Sequence, residues 1–167
     1  EKSLLRHHPW VFSGAIDRAD EHIQAGETIG VVSQKGELLA LAAYSPQSQI
    51  RARIWTFNPD ETINNNFLRE RLEQAMAVRK HCLAGNPAAL RLVNAESDGL
   101  PGLIVDKYAD YLVCQFLCVG VEYFKQDILE QLRLLMEPAG IYDRSDTEAR
   151  KKEGLPASTG LLSGSEP

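Results

Sequence analysis

Between residues 64 and 84 the apolar side chains recur at helical spacing, while on both sides of that stretch they alternate or run together as strands do. Leu68, Leu72, Ala75, Met76, Cys82 and Leu83 form the stripe, and Gly85-Asn86-Pro87 follows in the order that ends a helix. A helix placed between two strand-rich segments belongs to neither sheet and joins them. The chain is therefore read as four parts: a first unit over residues 1–60, a connecting helix within 61–87, a second unit over 88–150 and a linker over 151–167.

In the first unit "SLLRHH" is helical in composition, and Pro9 ends it, because the residue before a proline avoids the helical region. "WVF", "ETIGVVS", "LLALAAYS" and "IRARIWTF" follow as short strands with connectors of hairpin length. Short strands around a small core predict a compact β-barrel. In "QIRARIWTF" the period of two puts Ile50, Ala52, Ile54 and Thr56 on one face, and Gln49, Arg51, Arg53, Trp55 and Phe57 on the other. The first face is expected to pack inward and the arginine face to meet solvent or a ligand. Trp10 and Phe12 share a strand face and are read as core, because aromatic rings dominate core burial.

The second unit reads as strands "ALRLVNAE", "GLIVD" and "YLVCQFLCV", a helix from Val121 to Met136 and a further strand "GIYDRS". Phe124, Ile128, Leu132 and Leu135 lie on one side of that helix, which Pro138 and Gly140 end. Strands on both sides of one helix make a small α+β unit.

The stretch "ESDGLPG" between the first two of these strands offers two carboxylates and a serine. Glu96 and Asp98 would need opposite environments to serve as an acid/base pair, and Ser97 would need a histidine. Asp98-Gly99 and Pro101-Gly102 are turn signals, which account for every residue in the stretch without catalysis. Asp98 is expected to bond its own following amides.

Charge limits the partners. The net charge is −5, and residues 1–57 carry equal numbers of acidic and basic side chains, so the excess lies in the rest. Nucleic acid would have to be met by a local face. No apolar run is long enough to span a membrane, and "EKSLLRHHPW" lacks the apolar core of a signal peptide. Three cysteines do not make a disulfide framework, so a reducing cytoplasm is expected. Cys82, Cys114 and Cys118 all read as small buried hydrophobes. Adjacent His7 and His8 have poor spacing for a metal, and no metal site is expected.

Three blocks, in this order, resemble one family. "SLLRHHPWVFSGAI" with "YSPQSQIRARIWTF", then "RLVNAESDGLPGLIVDKYADYLVCQ", then "IYDRSDTEARKKEGL" are similar to the bacterial 23S ribosomal RNA large-subunit cytosine-5 methyltransferases. The resemblance implies a PUA domain, then a strand-strand-helix-strand-strand domain, then a Rossmann-like catalytic domain. The first two correspond to the units read above, and the third is expected to be absent from this chain, along with a first barrel strand. The chain would thus be the RNA-binding and substrate-positioning fragment of an S-adenosylmethionine-dependent enzyme. Methylation at cytosine C5 needs a cysteine thiolate to attack C6 and a methyl donor. No glycine-rich cofactor turn is found here, and none of the three cysteines has the family's catalytic context. No catalytic residue and no cofactor are therefore assigned to this chain, and S-adenosylmethionine is implied for the full-length protein. The implied partners are ribosomal RNA and the protein's own C-terminal methyltransferase domain, with a homodimer as a further option.

The residues expected to meet RNA are Lys2, Arg6, His7 and His8 at the end of the first helix, Gln49, Arg51 and Arg53 on the arginine strand, and the basic run Arg150, Lys151 and Lys152. Arginine forks suit phosphate and can stack on bases, and cations beside aromatics are typical of RNA-binding surfaces. Three other functions stay open at this point: a PUA module of a different RNA-modification system, a structural or dimerising pair of domains without RNA, and a small hydrolase built on Glu96, Ser97 and Asp98.

Overall fold

The computed structural model describes residues 3–80, 85 and 88–166. Four strands form an antiparallel sheet: β1 (Trp10–Phe12), β2 (Thr28–Val32), β3 (Leu38–Tyr44) and β4 (Ile50–Thr56), in the order β1-β4-β3-β2. β1 and β2 are its edges, so closure into a barrel would need pairing beyond these four strands. Before β1 the described chain makes only one tight turn, Leu4–Arg6, which His7 ends in a left-handed conformation.

The arginine-bearing strand departs from expectation. One face of the sheet buries Ala42, Ala52 and Ile54 with Leu4 and Val11. The opposite face is covered too: Ala43 and Trp55 enter the larger core with Phe67, Leu68 and Leu72. β4 therefore runs between two cores, and Arg53 lies on a packed face rather than a solvated one. Trp55 on that face was the signal, since an indole buries more area than an exposed strand face leaves uncovered.

Helix α1 (Asn65–Val78) starts where Asn64 Oδ1 accepts from the Phe67 N–H at 3.0 Å, one of the orphan donors of a helix start. It buries Phe67, Leu68, Leu72 and Ala75; Cys82 and Leu83 of the expected stripe lie outside the described residues. The second sheet has five strands, β5 (Ala89–Asn94), β6 (Leu103–Tyr108), β7 (Tyr111–Phe116), β8 (Gly140–Ser145) and β9 (Ser158–Gly164), in sequence order. Of these strands only β7 and β8 pair in parallel, which demands a crossover. Helices α2 (Val119–Tyr123) and α3 (Lys125–Met136) supply it. The expected single helix is thus divided at Phe124, whose ring stands edge-on to Trp55 at 5.9 Å. α3 packs on α1, and both help cover a core centred on Leu92, Leu103, Leu112, Phe116, Ile128 and Ile141.

A short helix α4 (Glu148–Lys152) follows β8. Residues 158–164, expected within a linker, add β9 to the sheet edge. Their sequence "STGLLSG" has weak strand propensity, so pairing with β8 rather than local preference makes the strand.

Candidate functional site

A cleft of about 770 Å³ opens between the first sheet and the second unit. β1 supplies one wall. Val11 points into the core, so the alternation sends Trp10 and Phe12 the other way, and Phe12 remains 49% exposed. Their expected place in the core is therefore corrected: the strand's parity, set by Val11, outweighs their aromatic character.

The β1–β4 register places Arg53 opposite Trp10, and its guanidinium carbon lies 5.5 Å from the indole centroid. Arg53 donates to Glu96 Oε1 at 3.1 Å and to Glu153 Oε1 at 3.0 Å. Trp10 Nε1 donates to the same Glu96 oxygen at 2.7 Å, and Ser45 Oγ donates to Glu153 Oε2 at 2.9 Å. Arg53 thus joins three elements: its own strand, the β5–β6 connection and the end of α4. Gln49 and Lys152 line the same cleft and are exposed, and His8 stands beside Trp10, whose backbone N–H donates to His8 Nδ1 at 3.1 Å.

The other residues expected to meet RNA lie elsewhere. Arg6 and His7 are exposed, with His7 stacked on Phe57 at 4.6 Å. Arg51 donates to the Pro46 carbonyl. Lys151 is exposed and pairs with Glu148. Arg150 is only 2% exposed and donates to the Phe116 carbonyl and to Glu122 at 2.6 and 2.8 Å. Lys2 lies outside the described residues.

The stretch Ala95–Asp98 is a single tight helical turn closed by Gly99 at φ 69°. Its two carboxylates diverge. Glu96 reaches the first sheet, whereas Asp98 takes Arg79 on both oxygens at 3.0 and 2.8 Å. Asp98 also accepts from the Asn94 N–H at 2.6 Å, so its bonds run backwards and across to α1, not to its own following amides. Ser97 Oγ accepts from Asn94 Nδ2 at 3.4 Å. This is a structural turn that also delivers Glu96 to the cleft. Glu153 was missed as a site residue, and Glu96 was weighed only with Ser97 and Asp98, because neither glutamate lies near Arg53 in sequence.

The two described cysteines are buried. Burial pushes the Cys118 thiol up to about 11 and the Cys114 thiol higher still, so neither is a thiolate at neutral pH. Gly102, at φ 79°, has no room for a side chain: a Cβ there would sit 2.5 Å from Cys118 Sγ. Among the described residues no three His, Cys, Asp or Glu side chains converge as a metal site, and no helix is long and apolar enough to cross a membrane.

A second polar cluster lies under β8. Asp143 is 1% exposed and accepts from Lys125 Nζ at 2.7 Å, from Ser158 Oγ at 2.7 Å and from Ser145 Oγ. Lys125 stands 4.0 Å from Glu122, which holds Arg150, so this cluster reaches α4 as well.

Residues 1–57 match the family model described as a PUA-like domain. Over its whole length the chain is similar to ribosomal RNA large subunit methyltransferase I, at 49% identity to the protein of Tolumonas auensis and 50% to that of Photobacterium profundum. It spans 42% and 43% of those two proteins. A solved structure described as a SAM-dependent methyltransferase of Streptococcus mutans shares the fold, with a TM-score of 0.82 at 18% identity over all of this chain and 42% of that one.

Proposed function

Because the chain is, throughout its length, a homologue of the ribosomal RNA large subunit methyltransferase I proteins, we propose that it forms the RNA-binding and substrate-positioning part of an S-adenosylmethionine-dependent ribosomal RNA (cytosine-5) methyltransferase. The whole-length identity carries this reading, and the PUA-like match of residues 1–57 supports its RNA-binding half. Ribosomal RNA and the remainder of the enzyme are the proposed partners, and the cytoplasm the proposed compartment.

S-adenosylmethionine would supply the methyl group in the whole protein. It does not fit the β7–α2 junction, where a strand runs into a helix: a Cβ on Gly120 would lie 2.5 Å from Ala43 and 3.0 Å from Trp55, so that glycine serves packing.

What these residues do is hold a face. Arg53 and Arg150 are occupied by internal carboxylates and carbonyls, and they fix the walls of the cleft. Arg6, His7, His8, Gln49, Arg51, Lys151 and Lys152 are the proposed RNA-binding residues, and Lys2 is proposed with them from the sequence alone. On a chain of net charge −5 such side chains must act locally. Replacing Lys151 and Lys152 with alanine is expected to make the slope of log affinity against log salt shallower. The change is about 0.7 for each phosphate of a single strand that is no longer neutralised. The exposed Lys151–Glu148 pair contributes little to stability, so the fold is expected to be unchanged. Anisotropy titrations of single-stranded ribosomal RNA pieces over a salt series read the slope. An unchanged slope would remove α4 from the interface.

A further inference from the structure

The cleft floor is poorly suited to phosphate. Arg53 faces two carboxylates, Glu96 and Glu153, so the floor carries excess negative charge, and the nearest uncommitted cation among the described residues is Lys152 at the rim. A polyanion backbone is therefore favoured at the rim and disfavoured inside.

The floor does offer features that suit a neutral ring. Phe12 is half exposed, with its ring 6.3 Å from Trp10 and 6.5 Å from His8. Trp10 is held in place by its bond to Glu96 and by Arg53, so the ring that flanks Phe12 is fixed before anything binds. Glu96 presents one more polar atom. Its Oε1 takes both Trp10 and Arg53, and its Oε2 has no donor among the described residues. A carboxylate oxygen without a protein donor can accept an N–H from a ligand.

We propose that this cleft takes one unpaired nucleobase bearing an exocyclic amino group, with its face against Phe12 and its amino edge on Glu96 Oε2. The inference rests on the RNA-binding reading above and adds the chemistry of what is recognised. Cytosine N4 is a donor that a glutamate accepts. Uracil carries a carbonyl oxygen at that position, which would face the carboxylate with like polarity. The cavity, at about 770 Å³, lies within the range of small-molecule sites and leaves room for the base with its ribose. Stacking is sequence-tolerant, so the edge bond and not the platform sets the preference.

Short oligocytidylate and oligouridylate separate the two contributions, since both are pyrimidines and differ at the edge. Trp10 lines the cleft while Trp55 is 3% exposed, so indole quenching in the full chain reports occupancy. Oligocytidylate is expected to bind roughly tenfold more tightly than oligouridylate, the effect of one good edge interaction. Phe12→Ala is expected to weaken both by roughly tenfold, as removal of one stacking platform does. Glu96→Gln, whose amide can still accept from Trp10 while turning N–H groups to the ligand, is expected to abolish the preference. Salt-dependent binding with equal affinity for the two oligomers, unaltered by Phe12→Ala, overturns the nucleobase site and leaves RNA binding standing. Absence of binding to either oligomer and to ribosomal RNA overturns both. Phe12 is exposed, so its variant keeps the test valid even where Glu96→Gln disturbs the fold.

Discussion

Asp143→Ala is expected to cost about 3–5 kcal/mol of stability, the loss seen when one partner of a buried ion pair is removed. The carboxylate has no exposed side-chain surface, and the Lys125 ammonium that it holds is only 13% exposed. Truncation leaves that ammonium inside, with the Ser145 and Ser158 hydroxyls deprived of their acceptor. Such a loss is a large part of the about 5–15 kcal/mol that holds a typical domain folded. The double change Asp143→Ala with Lys125→Met removes both charges and is expected to recover much of it. Urea unfolding at neutral pH gives both values, and a single-variant loss below about 1 kcal/mol would deny the cluster this role.

Acid gives the same interaction a second signature. Burial alone would raise the pKa of Asp143, but the hydrogen bonds from Lys125, Ser145 and Ser158 and the charge of Lys125 outweigh it and leave the value below that of a free carboxyl. A lowered folded pKa stabilises the folded state at pH values above the unfolded pKa, and that contribution is lost as pH falls through the folded value. The stability gap between the parent chain and the Asp143 variant should therefore be full at neutral pH and narrow in strong acid.

The second large effect separates two arginines that look alike in sequence. Arg53→Ala is expected to cost about 3 kcal/mol or more, because Glu153, with its side chain 1% exposed, would keep only Ser45. Glu96 would keep only Trp10 at the same time. Arg51→Ala removes a donation to one carbonyl and is expected to cost about 1 kcal/mol. Alternation alone predicts that both substitutions are tolerated. Adding Glu153→Gln to Arg53→Ala removes the stranded charge and should restore part of the loss, which thermal or urea unfolding of the three variants measures.

Those two arginines show where sequence reading stops. The hydrophobic period placed β4, α1 and every strand of the two sheets except β9, because each of those signals is local. Arg53 owes its environment to Glu96 and Glu153, which are 43 and 100 residues away in sequence. No local pattern brings them together; the fold does. The same holds for Trp10, whose indole partner lies 86 residues on. Its role in the cleft followed from a local fact, however: Val11 can face the core only if Trp10 and Phe12 turn away. Strand β9 was hidden for another reason, since a serine- and glycine-rich segment becomes a strand only through β8. The turn at Ala95–Gly99 was legible from Asp98-Gly99, but the bond from Arg79 that fixes Asp98 was not.

We propose that exposed basic side chains let this chain bind ribosomal RNA despite its net charge of −5. The most direct test is anisotropy of the full chain with labelled segments of large-subunit ribosomal RNA at about 50 and 200 mM monovalent salt. Saturable binding is expected at the lower concentration, weakening roughly tenfold at the higher, as a few released counterions require. No saturable binding at low salt, or an affinity indifferent to salt, would contradict it.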